Sequence, residues 1–141
     1  WVELLERLYI VFLLPPYFRN FGKRLVKRPK LYFYDTGLAA FLLQIQNPDH
    51  LAIHPARGGL FESLVIADWI KERFRQALPS NAHFWRDNLG HEVDLILEEG
   101  PGLSGFEVKA TQTVSPGLFA GLHGQTFQVA GRARGRARRR G

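Results

Sequence analysis

The sequence predicts an α/β fold of the α+β type, with helices packed on a mixed sheet. Residues 59–78 carry apolar side chains at helical spacing, which predicts one long helix. Three runs of strand composition follow it, at 83–86, 92–97 and 105–110. Hydrophobic residues make up 45% of the 141 residues, which is enough apolar material for a packed core. A helix followed by meandering strands is typical of this class.

The first 45 residues predict a small winged-helix-like segment that precedes this core. The expected elements are a helix over 2–14, a hairpin or loop-rich connection over 19–30, a strand over 31–34 and a helix over 37–43. Pro15 and Pro16 are expected to end the first helix, and Asp35 to cap the second. The apolar run 8–14 by itself is compatible with a buried helix or a buried strand.

Composition along the chain predicts three parts: the winged-helix-like segment 1–45, a core domain 56–115 and an aberrant or disordered Gly/Arg-rich tail 116–141. Residues 44–58 are polar and rich in turn formers, as at a boundary. Residues 131–141 are of low complexity and predict disorder. The tail resembles a GC-rich coding region read out of frame, or a vector-derived extension. The absence of methionine and the start at Trp1 suggest a domain cut from a longer chain.

The formal net charge of +6 arises in the tail, which holds six arginines and no acidic residue between positions 131 and 141. The other 13 basic residues equal the 13 acidic ones in number. Residues 1–30 are nevertheless basic, with seven basic and two acidic side chains. Two interpretations stay open for Lys23, Arg24, Lys27 and Arg28: contact with the phosphate backbone of a nucleic acid, or docking of a solvated linker on another module.

Several classes of site are excluded or disfavoured by residue content. The chain has no cysteine, so disulfides, thiolate nucleophiles and cysteine-ligated zinc are excluded. The five histidines lack the spacing of metal ligands. The apolar run 8–14 is far shorter than the roughly 20 residues of a membrane-spanning helix. We therefore expect no membrane association and a cytoplasmic protein.

Strand alternation groups three ionisable residues. Asp94 points away from Val93 and Leu95, while Glu107 and Lys109 share one face of the next strand. If the strands are neighbours, the two carboxylates converge and require a cation, for which Mg²⁺ or Mn²⁺ is suited. Lys109 could then position or deprotonate a water, or neutralise charge on a phosphate. Glu62, on an unusually apolar helix face, could complete the site.

This arrangement resembles the PD-(D/E)xK phosphodiesterase superfamily, with Glu62 on a helix, Asp94 on a strand and Glu107-Val108-Lys109 on the next. Val93 stands where that pattern has proline. The resemblance implies a restriction-endonuclease-like core, with Asp94 and Glu107 as metal ligands and with Lys109 and Glu62 as catalytic residues. Two alternatives remain: Glu107 and Lys109 form a surface ion pair, and Glu62 pairs with Arg86 or Arg73.

A second resemblance covers residues 1–115. It rests on five blocks of sequence: Lys30-Leu-Tyr-Phe-Tyr-Asp-Thr-Gly-Leu38, Gly59-Leu-Phe-Glu-Ser-Leu-Val65, Phe84-Trp-Arg-Asp87, Glu92-Val-Asp-Leu95 and Glu107-Val-Lys109. These blocks are similar to the domain of unknown function 4143. That domain follows an AAA-type ATPase module in bacterial and archaeal proteins. No phosphate-binding Gly-x-x-x-x-Gly-Lys-Ser/Thr motif occurs here, so ATP is expected only in an N-terminal module outside this chain.

Together these resemblances imply a nuclease-like C-terminal domain that binds nucleic acid and hydrolyses phosphodiesters with Mg²⁺ or Mn²⁺. The alternative is a non-catalytic module that binds DNA or a partner protein and regulates the ATPase.

Overall fold

The computed structural model describes residues 1–17, 28–87, 89–100 and 102–110. In chain order, these residues form α1 (Val2–Arg7), β1 (Val11–Leu14), β2 (Lys30–Phe33), α2 (Thr36–Leu42), α3 (Pro48–Ile53), α4 (Arg57–Arg75), β3 (Ala82–Arg86), β4 (Glu92–Glu99) and β5 (Gly102–Phe106). The predicted mixed α/β class is confirmed. The restriction-endonuclease-like core and the winged-helix-like segment stay predictions.

The strands of the described residues form two small antiparallel sheets, β1-β2 and β3-β4-β5, instead of the predicted mixed sheet. The two sheets are connected where the chain leaves β1, because Pro16 forms a parallel bridge with Phe84 of β3. The Phe84 amide donates to the Pro15 carbonyl at 3.1 Å, and the Tyr17 amide donates to the Phe84 carbonyl at 2.7 Å. The N-terminal hairpin is thereby hydrogen-bonded to the edge of the second sheet.

Within the described residues, one hydrophobic core lies between α4 and the two sheets. The side of α4 that faces the sheets carries its buried residues Ser63, Ile66, Ala67 and Ile70, at the spacing expected for one helix face. The core cluster contains Phe12, Leu14, Tyr32, Ile66, Ala67, Ile70, Ala82, Phe84, Leu95 and Leu97. Its members come from both predicted parts, 1–45 and 56–115, so these parts share a core. The exact domain boundaries stay a prediction.

The predicted helix over 2–14 is wrong in its second half. The helix ends at Arg7 and the chain enters strand β1 at Val11, after Tyr9 adopts a positive φ of 54°. A short apolar run has no decisive periodicity, so pairing with β2 determines its conformation. In that pairing, Val11 lies opposite Phe33 and Leu14 opposite Lys30.

Residues 44–58, predicted as a boundary, contain a short helix, α3, where Asn47 accepts a hydrogen bond from the His50 amide. One other expectation needs correction. The third strand of the core is shifted towards the N-terminus and ends at Phe106, so Glu107 and Lys109 follow the strand instead of lying in it. By contrast, β2, α4, β3 and β4 lie close to their predicted positions. The predicted cap is confirmed, since Asp35 accepts from two amides at the start of α2.

Asp87 organises the turn of the β3-β4 hairpin. Its carboxylate accepts hydrogen bonds from the backbone amides of Leu89 and His91, both at 2.9 Å, and lies 2.8 Å from the His91 ring nitrogen Nδ1. Gly90 follows with a φ of +92°, a conformation that glycine adopts without strain. The side-chain hydrogen bond with His91, followed by the two backbone hydrogen bonds, lowers the pKa of Asp87.

Asp87→Asn is expected to lose more stability at pH 7 than at pH 3. A carboxyl whose folded pKa is depressed contributes stability above its unfolded pKa of about 3.9. That contribution is lost as the pH falls through the folded value. Urea unfolding of wild type and Asp87→Asn at both pH values measures the difference. A difference in unfolding free energy that stays constant with pH would contradict this role of the ionised carboxylate.

Candidate functional site

The central feature of the candidate site is an ammonium group surrounded by carboxylates. The Lys30 Nζ lies 3.0 Å from Glu62 Oε1 and 3.9 Å from Asp94 Oδ1, and it also contacts the carboxylate of Glu92. Tyr32 donates its hydroxyl hydrogen to Glu62. We call these five residues the Lys30 cluster. Their side chains come from β2, α4 and β4, so the cluster exists only when all three elements pack together.

Local structure explains how each side chain reaches the cluster. Strand alternation places Lys30 and Tyr32 on one face of β2, and Glu92 and Asp94 on one face of β4. Glu62 lies on α4 beside the buried face of that helix, where the neighbouring Ser63 hydroxyl donates to the Phe33 carbonyl at 3.2 Å. This bond fixes the helix against β2 next to Glu62.

The cluster has more negative than positive charge, since three carboxylates face one ammonium. Burial raises the pKa of Asp94, and the nearby Glu62 carboxylate adds to the increase. For Lys30, burial opposes the charge, but hydrogen bonds with Glu92 and Glu62 outweigh it and raise the pKa. Burial, together with the hydrogen bond to Glu62, raises the pKa of Tyr32. The cluster is therefore short of positive charge.

Asp94 connects the cluster to the segment after β5. Its Oδ2 accepts a hydrogen bond from the Val108 amide at 2.8 Å. Leu95 pairs with Phe106, the last residue of β5, so Glu107 directly follows the paired part of the strand beside Asp94. Lys109 Nζ forms an ion pair with Glu107 Oε1 at 2.6 Å. The hydrogen bond with Glu107, with smaller contributions from Asp94 and Glu62, raises the pKa of Lys109.

The structure thus gathers the four residues predicted from the sequence into one region, although their predicted roles stay predictions. Glu62 pairs with Lys30 and Tyr32, whereas Arg73 Nε donates to the Pro79 carbonyl and Arg86 lies 3.7 Å from Glu92. The alternative of a Glu107–Lys109 ion pair corresponds to an observed contact.

Sequence reasoning missed three members of the cluster: Lys30, Tyr32 and Glu92. A signal was present, because Lys30-x-Tyr32 and Glu92-x-Asp94 both have the period of one strand face. Of the basic residues predicted to bind nucleic acid, Arg28 is described and exposed, while Lys23, Arg24 and Lys27 lie outside the described residues. The tail also lies outside them.

The donor chemistry of the region fits a hard divalent cation. Glu62, Asp94 and Glu107 supply only oxygen atoms, the ligands that Mg²⁺ and Mn²⁺ prefer, and the excess negative charge favours cation binding. As they stand, however, no three His, Cys, Asp or Glu side chains in the described part of the chain are arranged to hold a metal ion. The Lys30 ammonium lies among the carboxylates instead.

Comparison with known proteins settles the family. Residues 57–135 match the family described as domain of unknown function (DUF4143). The chain belongs to this family. Residues 1–49 of this DUF4143 protein also match a second family, described as domain of unknown function (DUF8612). The predicted membership of the 4143 family is confirmed, but the match covers residues 57–135 instead of the predicted 1–115.

Relatives of this DUF4143 protein include uncharacterized proteins of Mycobacterium bovis and Mycobacterium tuberculosis. Each is 34% identical over 116 residues, which is 82% of this chain and 25% of the relative. The chain therefore spans about a quarter of the length of these proteins. No solved structure matches.

In the described ranges, no helix is both long and apolar enough to span a bilayer.

Proposed function

We propose that this DUF4143 domain is a nuclease-like module that binds nucleic acid and hydrolyses phosphodiester bonds with Mg²⁺ or Mn²⁺. In this proposal it acts in the cytoplasm as the C-terminal part of a longer protein with an AAA-type ATPase module, which would bind the ATP. The observation that carries the proposal is the convergence of carboxylates beside Lys109: Asp94 holds the Val108 amide, between Glu107 and Lys109.

Each residue has a defined task in this proposal. Asp94 and Glu107 would hold the divalent cation, which when bound polarises a phosphate oxygen and lowers the pKa of a water molecule. Lys109 is an ammonium paired with Glu107, so it is suited to neutralise negative charge that develops on the phosphate. Glu62, at the edge of α4, would orient water or support the ligands from the helix side.

Purified protein with Mn²⁺ is expected to nick plasmid DNA, and Lys109→Ala is expected to lose this activity. General acid-base or electrostatic groups of this kind contribute about 10²–10⁴-fold in rate. Conversion of supercoiled to open-circular DNA on a gel measures it. Lys71→Ala is the matched control, because Lys71 lies on α4 and pairs with Asp68 at 3.5 Å, outside the cluster. Equal nicking by wild type and Lys109→Ala would indicate a contaminating nuclease and overturn the assignment.

The second candidate is a non-catalytic module that binds DNA or a partner protein and regulates the ATPase. It is favoured by the two ion pairs already made, Lys30 with Glu62 and Lys109 with Glu107, which give these carboxylates partners without a metal. Under this alternative the basic residues Lys23, Arg24, Lys27 and Arg28 would carry the binding through phosphate contacts or docking on the ATPase module.

Calorimetric titration with Mn²⁺ separates the two candidates. The nuclease proposal predicts a binding isotherm for wild type that is lost in Glu107→Ala. No heat from wild type, together with DNA binding that persists, would favour the non-catalytic module. The DNA-binding assay needs a variant in which the six tail arginines are replaced by glutamine, because such a tail attracts any polyanion.

A further inference from the structure

We propose that Lys30 is a built-in competitor of the divalent cation, so that the metal binds Asp94 only after the Lys30 ammonium has moved away from Asp94 and Glu62. This inference rests on the proposed metal-dependent function and concerns the regulation of that same site. It assigns a role to a residue that lies outside the Glu62, Asp94, Glu107 and Lys109 pattern.

The position of Lys30 indicates that its ammonium group and the divalent cation compete for the site and do not occupy it together. Its Nζ lies 3.0 Å from Glu62 Oε1 and 3.9 Å from Asp94 Oδ1, between the helix and the strand that carry these residues. A Mg²⁺ ion requires ligand oxygens at about 2.1 Å with near-octahedral geometry. A metal ion bound to Asp94 would lie within a few ångströms of the ammonium, where two positive charges repel strongly in a partly buried site.

Charge and flexibility make the exchange feasible. Three carboxylates around one ammonium leave the cluster with an excess of negative charge, which a divalent ion neutralises better than a lysine does. Lysine has a flexible four-carbon stem, so its ammonium can move without displacing the backbone of β2. Glu92 contacts Lys30 and also lies 3.7 Å from Arg86. It offers Lys30 a partner that is not one of the proposed ligands.

The first test is Mn²⁺ calorimetry on the full chain of wild type, Lys30→Gln and Lys71→Gln. Removal of the competing ammonium should tighten Mn²⁺ binding by about tenfold or more, the scale of a charge-assisted hydrogen bond. Lys71→Gln removes an equal charge from α4 away from the cluster and should leave the affinity unchanged. If wild type binds Mn²⁺ and Lys30→Gln binds it equally or more weakly, the Lys30 inference is overturned while the metal site stands.

If none of the three proteins binds Mn²⁺, the proposed metal-dependent function fails, and the competition fails with it. The second test uses only wild type and so does not depend on the folding of a variant. Amine acylation followed by mass spectrometry should show that saturating Mn²⁺ increases the labelling of Lys30 severalfold and leaves that of Lys71 unchanged. Labelling of Lys30 that is the same with and without bound Mn²⁺ would overturn the inference.

Discussion

Replacement of Phe84 by alanine is expected to lower the free energy of unfolding by about 3–5 kcal/mol, the usual cost of truncating a buried phenylalanine. Phe84 is 1% exposed and belongs to the core cluster. The centroid of its ring also lies 5.4 Å from the Lys30 Nζ, within the range of a cation–π contact. A domain of this size has a free energy of unfolding of only about 5–15 kcal/mol in total. The variant should therefore lose a large part of its stability at room temperature.

Urea unfolding followed by tryptophan fluorescence measures this loss, with Phe41→Ala as the matched control. Phe41 is 76% exposed, so the same chemical truncation there should change stability by no more than about 0.5 kcal/mol. Phe84→Leu keeps an apolar side chain and should lose less than Phe84→Ala. Similar losses for Phe84→Ala and Phe41→Ala would mean that the core between α4 and the sheets is not the one described.

Asp94→Asn is expected to abolish metal binding and nicking while it preserves the fold. Asp94 has two separable roles: its Oδ2 accepts from the Val108 amide, and its carboxylate adds negative charge beside Lys30. Asparagine keeps an acceptor oxygen for Val108 but removes the charge that a divalent cation requires. Asp94→Ala removes both, and it should cost an additional 1–3 kcal/mol or so because the amide of the buried Val108 loses its partner.

Three measurements on wild type and both variants separate these roles: urea unfolding, Mn²⁺ calorimetry and plasmid nicking. For Asp94→Asn we expect near-wild-type stability without metal binding. For Asp94→Ala we expect a lower free energy of unfolding as well as no metal binding. Full nicking activity in Asp94→Asn would show that Asp94 serves only to hold the segment after β5. The catalytic proposal would then lose its central ligand.

The sequence correctly predicted the elements whose signals are local and strong. The helix α4 has an apolar stripe over five turns. Strand β4 begins with alternating polar and apolar residues, continues with a buried apolar run, and follows a turn that contains Gly90. The conformation of the short segments was harder to predict. The run 11–14 has no decisive period, and its strand conformation depends on β2, which lies far along the chain. The end of β5 at Phe106 likewise depends on its pairing with β4.

For the candidate site, the sequence by itself determined the residue types and their spacing. Glu62 on a helix, Asp94 on a strand and the Glu107-Val108-Lys109 run are all local patterns. Only the tertiary structure decided which partner each carboxylate has. Lys30 is 32 residues from Glu62 in the chain, and it reaches Glu62 and Asp94 only because β2 packs against α4 and near β4. Side-chain pairing of this kind depends on the distance between atoms in the packed fold, which no spacing along the chain specifies.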